Sequence, residues 1–151
     1  MDYRALKANE YGTFFSMMKE KTGAYLESRL VAMGLDWGCL QDMVSSVGEV
    51  RAVGQGGMPV GFVWIEKRDA RLHVHGLVID PAYRGRGIGS SVLHDLESEF
   101  ASQVESIEVG VHDSNQRARS LYERLGFELK DTRPDVGFLI FRKPLNRVGM
   151  D

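Results

Sequence analysis

The chain has 151 residues, 43% of them hydrophobic and 26% charged, which is close to the average for a folded globular domain. This composition excludes a disordered or fibrous polypeptide and predicts a single domain of the commonest size. The formal net charge of -2 gives no bulk attraction to nucleic acid or to an anionic membrane, so neither is expected as a partner.

The cysteine content and the N-terminal sequence bear on the cellular compartment. The single cysteine, Cys39, cannot form an internal disulfide, and the first ten residues lack the basic and then apolar pattern of a signal peptide. No apolar stretch approaches the roughly 20 residues that a membrane-spanning helix needs. We therefore expect a protein of the cytoplasm.

The first half of the chain predicts an edge strand, two helices and an antiparallel meander. A short strand is expected at residues 3–8, and apolar residues at helical spacing follow over residues 11–34, where Gly23 and Gly34 interrupt the pattern. A second short helix is predicted for residues 37–47. Residues 49–80 predict three strands joined by the turns GQGG and KRDA, in which the glycines and Asp69 supply turn conformations.

The second half predicts two strand–helix units and two final strands. From residue 87 one helix face is apolar, and its residues are Ile88, Val92, Leu93, Leu96 and Phe100. Residues 104–112 predict a strand and residues 114–127 a helix that Gly126 ends with a left-handed cap. Final strands follow near residues 127–131 and 137–143.

These elements predict the fold class. Strands joined through a helix run parallel, so the sheet should be antiparallel at first and parallel across both helix crossovers. The expected fold is a single α/β domain with a mixed sheet of six to seven strands flanked by about four helices.

A glycine-rich segment, YRGRGIGSS at residues 83–91, separates a predicted strand from a predicted helix. Such a loop presents backbone N–H groups and the positive end of a helix dipole together, which favours an anion. From Gly85 the order G-R-G-I-G-S fits neither the dinucleotide-binding spacing G-x-G-x-x-G nor the Gly-Lys-Ser/Thr ending of the P-loop. The segment is therefore an anion site of another kind, or a tight turn whose arginines are merely solvated.

Two motifs in this half of the chain stand in a familiar order. R-G-R-G-I-G at residues 84–89 fits Q/R-x-x-G-x-G/A, and N-Q-R-A-R-S-L-Y-E-R-L-G-F at residues 115–127 has an early Asn and ends in L-Y-x-x-x-G-F. Together they resemble the GNAT superfamily of N-acetyltransferases. The resemblance covers residues 50–142, whereas the first 48 residues match only as a strand and helix pair.

The resemblance implies acetyl-CoA as the acetyl-donor cosubstrate, and no His, Cys or Asp cluster has the spacing of a metal site. Loop amides would hold the pyrophosphate, because glycines let phosphate oxygens approach the backbone. The pantetheine arm would lie along the end of the preceding strand. The residues implicated in acetyl-CoA binding are Leu77, Val78, Ile79, Arg84, Gly85, Arg86, Gly87, Ile88, Gly89, Ser90 and Asn115.

The resemblance also implies direct acetyl transfer to a primary amine of a small molecule or peptide. Tyr122 matches the family's general acid, which protonates the CoA thiolate; its position on an apolar helix stripe is also typical of a core tyrosine with a hydrogen-bonded hydroxyl. Many members carry an acidic base on the strand before the loop. Here that strand reads L-H-V-H-G-L-V-I and places His73 and His75 on one face, similar to arylalkylamine N-acetyltransferases, although both are equally interpreted as lining residues.

Other titratable residues are weaker candidates. Glu66 and Glu108 lie on predicted strands and are candidates for a base that acts through water. His112 closes a strand and is a candidate for the cleft, whereas His94 is expected to be partly exposed on its helix. Cys39 lies outside both motifs, which disfavours a covalent acetyl-cysteine intermediate.

The acceptor is not defined by these motifs. Ribosomal-protein N-terminal acetyltransferases carry a glutamate where this chain has Gly110, which disfavours that branch of the family. The acceptor is expected to contact residues 10–47 and the loop at residues 131–137. Acidic and aromatic candidates there, equally interpreted as ordinary surface residues, are Asp36, Trp37, Asp131 and Asp135.

The domain plan assigns residues 1–48 to the substrate side, 49–111 to the central strands with the acetyl-CoA loop and helix, and 112–151 to the last helix and strands. Two other functions stay open: an acetyl-CoA-binding sensor or assembly module without activity, and a site for an unrelated phosphorylated ligand. A homodimer is also open, because many relatives dimerise.

Overall fold

The computed structural model describes residues 1–22, 46–134 and 137–145, together with positions 34, 36, 38, 39 and 42. The predicted helix at residues 37–47 and the continuation of the first helix to residue 34 lie largely outside them. The strands are β1 (Asp2–Ala5), β2 (Glu49–Gln55), β3 (Met58–Arg68), β4 (Arg71–Ile79), β5 (Ser106–His112), β6 (Glu128–Arg133) and β7 (Phe138–Pro144). The helices of this described part are α1 (Tyr11–Thr22), α2 (Ile88–Phe100) and α3 (Gln116–Arg124).

The strands form a mixed sheet in the order β1-β2-β3-β4-β5-β7-β6. β1, β2 and β3 pair antiparallel, and β4 pairs parallel to β5 across the helix α2, as predicted. The parallel neighbours predicted across α3 are wrong. β7 lies between β5 and β6 and pairs antiparallel with both. The inner place goes to the more apolar strand: β7 buries Phe141, whereas every residue of β6 is exposed.

The turns of the meander have the conformations that their sequences predict. Gly56 and Gly57, between β2 and β3, have φ of 58° and 82°, and Asp69, between β3 and β4, has φ of 54°. These left-handed values suit Gly and Asp because both tolerate that region better than other residues. The three predicted strands and both turns are therefore confirmed.

The chain divides into two compact units, Met1–Ile65 with Gly76–Arg86 and Glu66–His75 with Gly87–Asp151. The first has an aromatic core in which Phe14, Phe15 and Met18 of α1 pack with Phe62 and Trp64 of β3. Each such side chain contributes about 1.5–3 kcal/mol when it is fully buried. The predicted apolar spacing of residues 14, 15 and 18 therefore identified the packed face of α1.

In the second unit, the five apolar residues predicted on α2 are all buried. β5 alternates as a half-buried strand should: Ile107, Val109 and Val111 are buried, so residues 108, 110 and 112 point to the other face. Lys143 of β7 donates to Glu97 of α2 at 2.7 Å. No helix in the described ranges is long and apolar enough to cross a membrane.

An ion pair holds the segment that leads from β1 into α1. Arg4 of β1 donates two hydrogen bonds to Glu10, of 2.6 and 2.7 Å, and the Lys7 N–H donates to the same carboxylate at 2.8 Å. The hydrogen bonds from Arg4, the largest cause, lower the pKa of Glu10 to about 2. Glu10 therefore stays ionised at pH values where an ordinary glutamate becomes protonated.

The lowered pKa of Glu10 predicts that the stability of the fold decreases at low pH. A folded-state pKa below the ordinary 4.5 stabilises the fold above pH 4.5, and the contribution is lost as the pH falls from 4.5 towards 2. Glu10→Gln should lower the free energy of unfolding at pH 7 by about 1 kcal/mol, as removal of a cap does. The difference from wild type should shrink at pH 3 in urea titrations, whereas exposed Glu20→Gln should have little effect at either pH; a constant difference would contradict this assignment.

Candidate active site

The glycine-rich segment begins where β4 ends. After a short turn at Pro81–Tyr83, Gly85 and Gly87 have left-handed φ values of 77° and 75°, and α2 begins directly after Gly87. A Cβ added to Gly87 would meet nothing within 4 Å. The left-handed backbone at Gly87 therefore favours glycine, although a side chain there would meet no neighbouring atom. The space beside the start of the helix is open to a ligand.

The start of α2 offers unused hydrogen-bond donors. The first helical bond runs from the Ser91 N–H to the Gly87 carbonyl at 3.0 Å, so the N–H groups of Ile88, Gly89 and Ser90 have no acceptor within the helix. Gly87 supplies no side-chain cap, and no acidic residue lies in the first turn. The helix start can therefore accept an anion such as a phosphate group.

Both arginines of the loop have partners within the chain. The Arg84 Nε–H donates to the Ile79 carbonyl at 3.0 Å and ties the loop to the end of β4. The Arg86 guanidinium lies 5.3 Å from the centre of the Tyr83 ring, a cation–π contact. Both arginines are exposed, and these contacts hold their charges next to the loop.

The end of β4 crosses β3 very closely. Leu77 and Val78 are both buried, which breaks the alternation expected of a strand. A Cβ added to Gly61 of β3 would lie 2.3 Å from the Val78 carbonyl oxygen and 3.2 Å from the Ile79 Cα. Gly61 therefore sets the backbone of residues 77–79, the segment predicted to bind pantetheine; sequence reasoning missed it, although a lone glycine within VGFVWI was a signal.

The helix α3 is capped at both ends as its motif predicts. The Asn115 Oδ1 accepts a hydrogen bond from the Ala118 N–H at 3.1 Å, and Gly126 has φ of 92° after the last turn. Asn115 was predicted to contact acetyl-CoA, and its capping bond uses the side-chain oxygen only. The side-chain NH₂ group is a separate donor for such a contact.

Tyr122 lies on the packed face of α3. Its side chain is 6% exposed, and its ring meets the Phe127 ring edge-on with centroids 5.4 Å apart. Burial raises the pKa of Tyr122 to about 12, so the hydroxyl stays protonated near neutral pH. In the described ranges burial alone causes this shift, and no hydrogen bond to the hydroxyl contributes to it.

The two histidines of β4 share one face, as predicted. Their rings stack with centroids 6.1 Å apart and an interplanar angle of 15°. His75 Nε2 lies 2.8 Å from Glu66 Oε1, and His73 Nδ1 lies 3.6 Å from Glu108 Oε1. Burial, the largest cause, lowers the pKa of His73 from its ordinary 6.5, which leaves this imidazole neutral at physiological pH.

The two glutamates considered as bases are both paired with arginine. Glu108 Oε2 accepts two bonds from Arg142, of 2.8 and 3.0 Å, and Glu66 Oε1 accepts one from Arg68 at 2.6 Å. The hydrogen bond from His75, the largest cause, and that from Arg68 lower the pKa of Glu66, which disfavours Glu66 as the base. Glu108 is a poor candidate because its Oε2 atom is already occupied by Arg142. Sequence reasoning missed these arginine partners.

The remaining candidates occupy ordinary positions. His112 Nδ1 lies 2.6 Å from the Ser114 hydroxyl, and His94 is exposed on α2. Trp37 and Asp135 lie outside the described residues. Among the side chains that the structure describes, no group of three His, Cys, Asp or Glu residues is arranged to hold a metal ion.

A family model described as the acetyltransferase (GNAT) family matches residues 16–127. The chain belongs to this family. Both motifs on which the resemblance was based, the loop before α2 and the helix α3, lie inside the matched range.

Two relatives and one solved structure show how far the similarity extends. The chain is 36% identical over 87 residues to the uncharacterized N-acetyltransferase YfmK of Bacillus subtilis, which covers 56% of this chain and 57% of that protein. It is 34% identical over 107 residues to a mycothiol acetyltransferase of Propionibacterium freudenreichii, covering 65% of this chain and 32% of the relative. The chain thus spans about half or less of the relatives' own lengths.

The fold is similar to that of the PaiA N-acetyltransferase from Thermoplasma acidophilum, solved in complex with coenzyme A. The TM-score is 0.72 at 18% identity, over 95% of this GNAT chain and 98% of the other. At this identity the likeness shows the fold alone.

Proposed function

We propose that this chain is an acetyl-CoA-dependent N-acetyltransferase that moves the acetyl group directly to a primary amine of a small molecule or peptide. The observation that carries the proposal is the start of α2, where left-handed glycines precede helix amides that no side chain caps. Membership of the GNAT family, relatives named as N-acetyltransferases and a neighbour with bound coenzyme A support it.

Acetyl-CoA would be held mainly by backbone groups. The N–H groups from Gly85 to Ser90 would bind the pyrophosphate, and Arg84 and Arg86 would add positive charge. The backbone of Leu77, Val78 and Ile79 would pair with the pantetheine arm, and the Asn115 side-chain NH₂ would donate to it. Each segment is suited to its part by local geometry: open space at Gly87 and a fixed strand end at Val78.

Over the reaction the substrate ammonium loses two protons, one before attack and one as the amide forms, while the CoA thiolate gains one, so one proton is released to water overall. The amine nitrogen attacks the thioester carbonyl, an amide C–N bond forms, and the C–S bond breaks to release the CoA thiolate. An alkyl amine with a pKa near 10 must lose a proton first, which costs about 4 kcal/mol at pH 7. A neutral His73 or His75 would take that proton, and positioning against the thioester would supply roughly 7–11 kcal/mol of the barrier reduction.

Tyr122 would supply the proton that the CoA thiolate gains. Its raised pKa keeps the hydroxyl protonated, and a hydroxyl without a protein partner is available to the departing sulfur. The same apolar surroundings raise the proton affinity of a thiolate that forms beside it, which offsets the raised pKa of the tyrosine.

The function is tested by thiol release from acetyl-CoA in the presence of a panel of primary amines, with mass spectrometry of the acetylated product. Transfer to at least one amine above the rate of hydrolysis without amine is expected. Binding of acetyl-CoA by calorimetry without transfer to any amine would favour the sensor or assembly module. The absence of acetyl-CoA binding would favour an unrelated phosphorylated ligand.

The pH dependence of turnover should report His73. Because the pKa of His73 lies below 6.5, kcat at saturating acceptor should stay level from pH 8 to pH 6.5 and fall only at lower pH. His73→Ala should lower kcat roughly 100-fold and remove this acid limb. His94→Ala, which changes an exposed histidine of α2, should do neither, and an unchanged profile in His73→Ala would exclude His73 as the base.

A further inference from the structure

One face of the second unit's sheet carries a cross-strand row of opposite charges. His73 of β4 lies opposite Glu108 of β5, and Glu108 lies opposite Arg142 of β7. His75, two residues along β4, meets Glu66 of β3. The row lies on the face opposite the buried residues of β5, so its side chains are not needed for the apolar core.

Each histidine in this row lies next to a glutamate carboxylate, and each of these carboxylates is paired with at least one arginine. Arg142 and Arg71 both approach Glu108 through its Oε2 atom, the latter at 3.5 Å, which leaves Oε1 to face His73. Arg68 and His75 share Glu66 Oε1. The repeated arrangement gives two imidazole–carboxylate–guanidinium series, one on each side of the stacked histidines.

The carboxylates determine how the imidazoles are protonated. The hydrogen bond from His75, the largest cause, lowers the pKa of Glu66, so Glu66 is ionised and can only accept. His75 Nε2 therefore carries the proton in this bond, and neutral His75 has its lone pair on Nδ1. Oε1 of Glu108 lies 3.6 Å from His73 Nδ1, too far for a hydrogen bond, but its negative charge favours the proton of neutral His73 on that facing nitrogen, with the lone pair on Nε2.

We propose that Glu66 and Glu108 are positioning residues for a two-histidine base: each carboxylate orients one imidazole and stabilises it when it takes the acceptor's proton. The three arginines share the carboxylate oxygens with the histidines and limit the pull of the carboxylates on that proton. This role rests on the proposed acetyl transfer.

The proton balance of the step is simple. A neutral imidazole nitrogen takes one proton from the substrate ammonium, which gives a neutral amine and an imidazolium beside an ionised carboxylate. The imidazolium later returns its proton to water. For His73, Arg68 lowers the pKa and Glu108 and Glu66 raise it, so the arginines and carboxylates act in opposite directions on this base.

Several charges act on His73, and they predict the effect of removing one. Glu108 and Glu66 raise the pKa of His73, whereas burial, Arg68 and His75 lower it. Glu108→Gln should therefore lower the pKa of His73 further. Arg142→Gln should raise it, because Glu108 loses the two hydrogen bonds that hold its charge.

These shifts are measured by NMR titration of the imidazole protons, which needs no turnover. The chain has four histidines, so His94 and His112 are internal references. General loosening of the fold would move the pKa of His73 up towards its ordinary value in both variants. A downward shift in Glu108→Gln is therefore the expected result, and an upward or absent shift would overturn the proposal.

Turnover supplies the second measurement. Glu108→Gln should lower kcat about tenfold and move its acid limb to lower pH, and Glu108→Asp should restore part of the rate. The control is Glu128→Gln on β6, whose carboxylate is paired with Lys130 at 3.1 Å; it should leave both kcat and the titration of His73 unchanged.

The outcomes separate this role from the proposed function. Wild-type protein that transfers acetyl to no amine would contradict the function whatever the titration shows. Normal wild-type transfer with an unchanged kcat in Glu108→Gln would overturn only the positioning role. Thermal unfolding of each variant verifies that the changes arise in folded protein.

Discussion

Tyr122→Phe should lower kcat by roughly 100- to 1,000-fold, the usual loss when a general acid is removed. The substitution deletes one hydroxyl and keeps the ring. In the part of the chain that is described, that hydroxyl has no hydrogen-bond partner, so the free energy of unfolding should change by less than about 0.5 kcal/mol. The ring contact with Phe127 remains, so the packing of α3 should be kept. Acetyl-CoA affinity should therefore change little.

The test needs an acceptor for which chemistry limits turnover, and single-turnover mixing establishes this before the comparison. Tyr3→Phe is the control, because it makes the same change in β1, outside both motifs. Wild-type kcat in Tyr122→Phe under chemistry-limited conditions would exclude Tyr122 as the acid. Equal loss of kcat and stability would assign the hydroxyl to folding instead.

Much of the fold follows from patterns that are local in sequence. The spacing of apolar residues gave the buried face of α2, and Asp69 and Gly126 were placed correctly at a turn and a helix end. The position of β7 did not follow, because sheet order depends on pairing between remote segments. The contrast between apolar FLIF in β7 and polar ELKDTR in β6 was the available signal.

The features of the candidate site also fall into two groups, those that depend on short segments and those that depend on pairing between remote segments. Left-handed glycine before α2 and the cap at Asn115 are properties of short segments that lie within the two motifs. Pairing of Glu108 with Arg142, 34 residues apart, depends on strand register, as does the approach of Val78 to Gly61. A one-residue change of register would turn Glu108 and Arg142 to the other face, so no local pattern could have located their pairing. For Gly61 the lone glycine was a signal, but its partner at Val78 was not.

The substitution Gly61→Ala, which adds one methyl group to β3, should strongly destabilise the protein. A Cβ at residue 61 would lie 2.3 Å from the Val78 carbonyl oxygen, a backbone atom that cannot rotate away. The end of β4 must therefore move, and we expect a loss of about 3 kcal/mol in the free energy of unfolding, the upper range for overpacking. Because residues 77–79 are the proposed pantetheine strand, acetyl-CoA affinity should fall at least tenfold in the protein that stays folded.

Gly76→Ala is the matched control, since the same methyl group is added within β4. Its Cβ would meet only the flexible end of Met18, at 3.5 Å from Cε, an ordinary contact that the side chain can accommodate. Urea titrations and calorimetry with acetyl-CoA at a temperature where both variants are folded would separate the two effects. Loss of stability in Gly61→Ala with wild-type affinity would mean that the backbone of residues 77–79 does not bind the cosubstrate, whereas loss of both in Gly61→Ala alone would link the close crossing of β3 and β4 to acetyl-CoA binding.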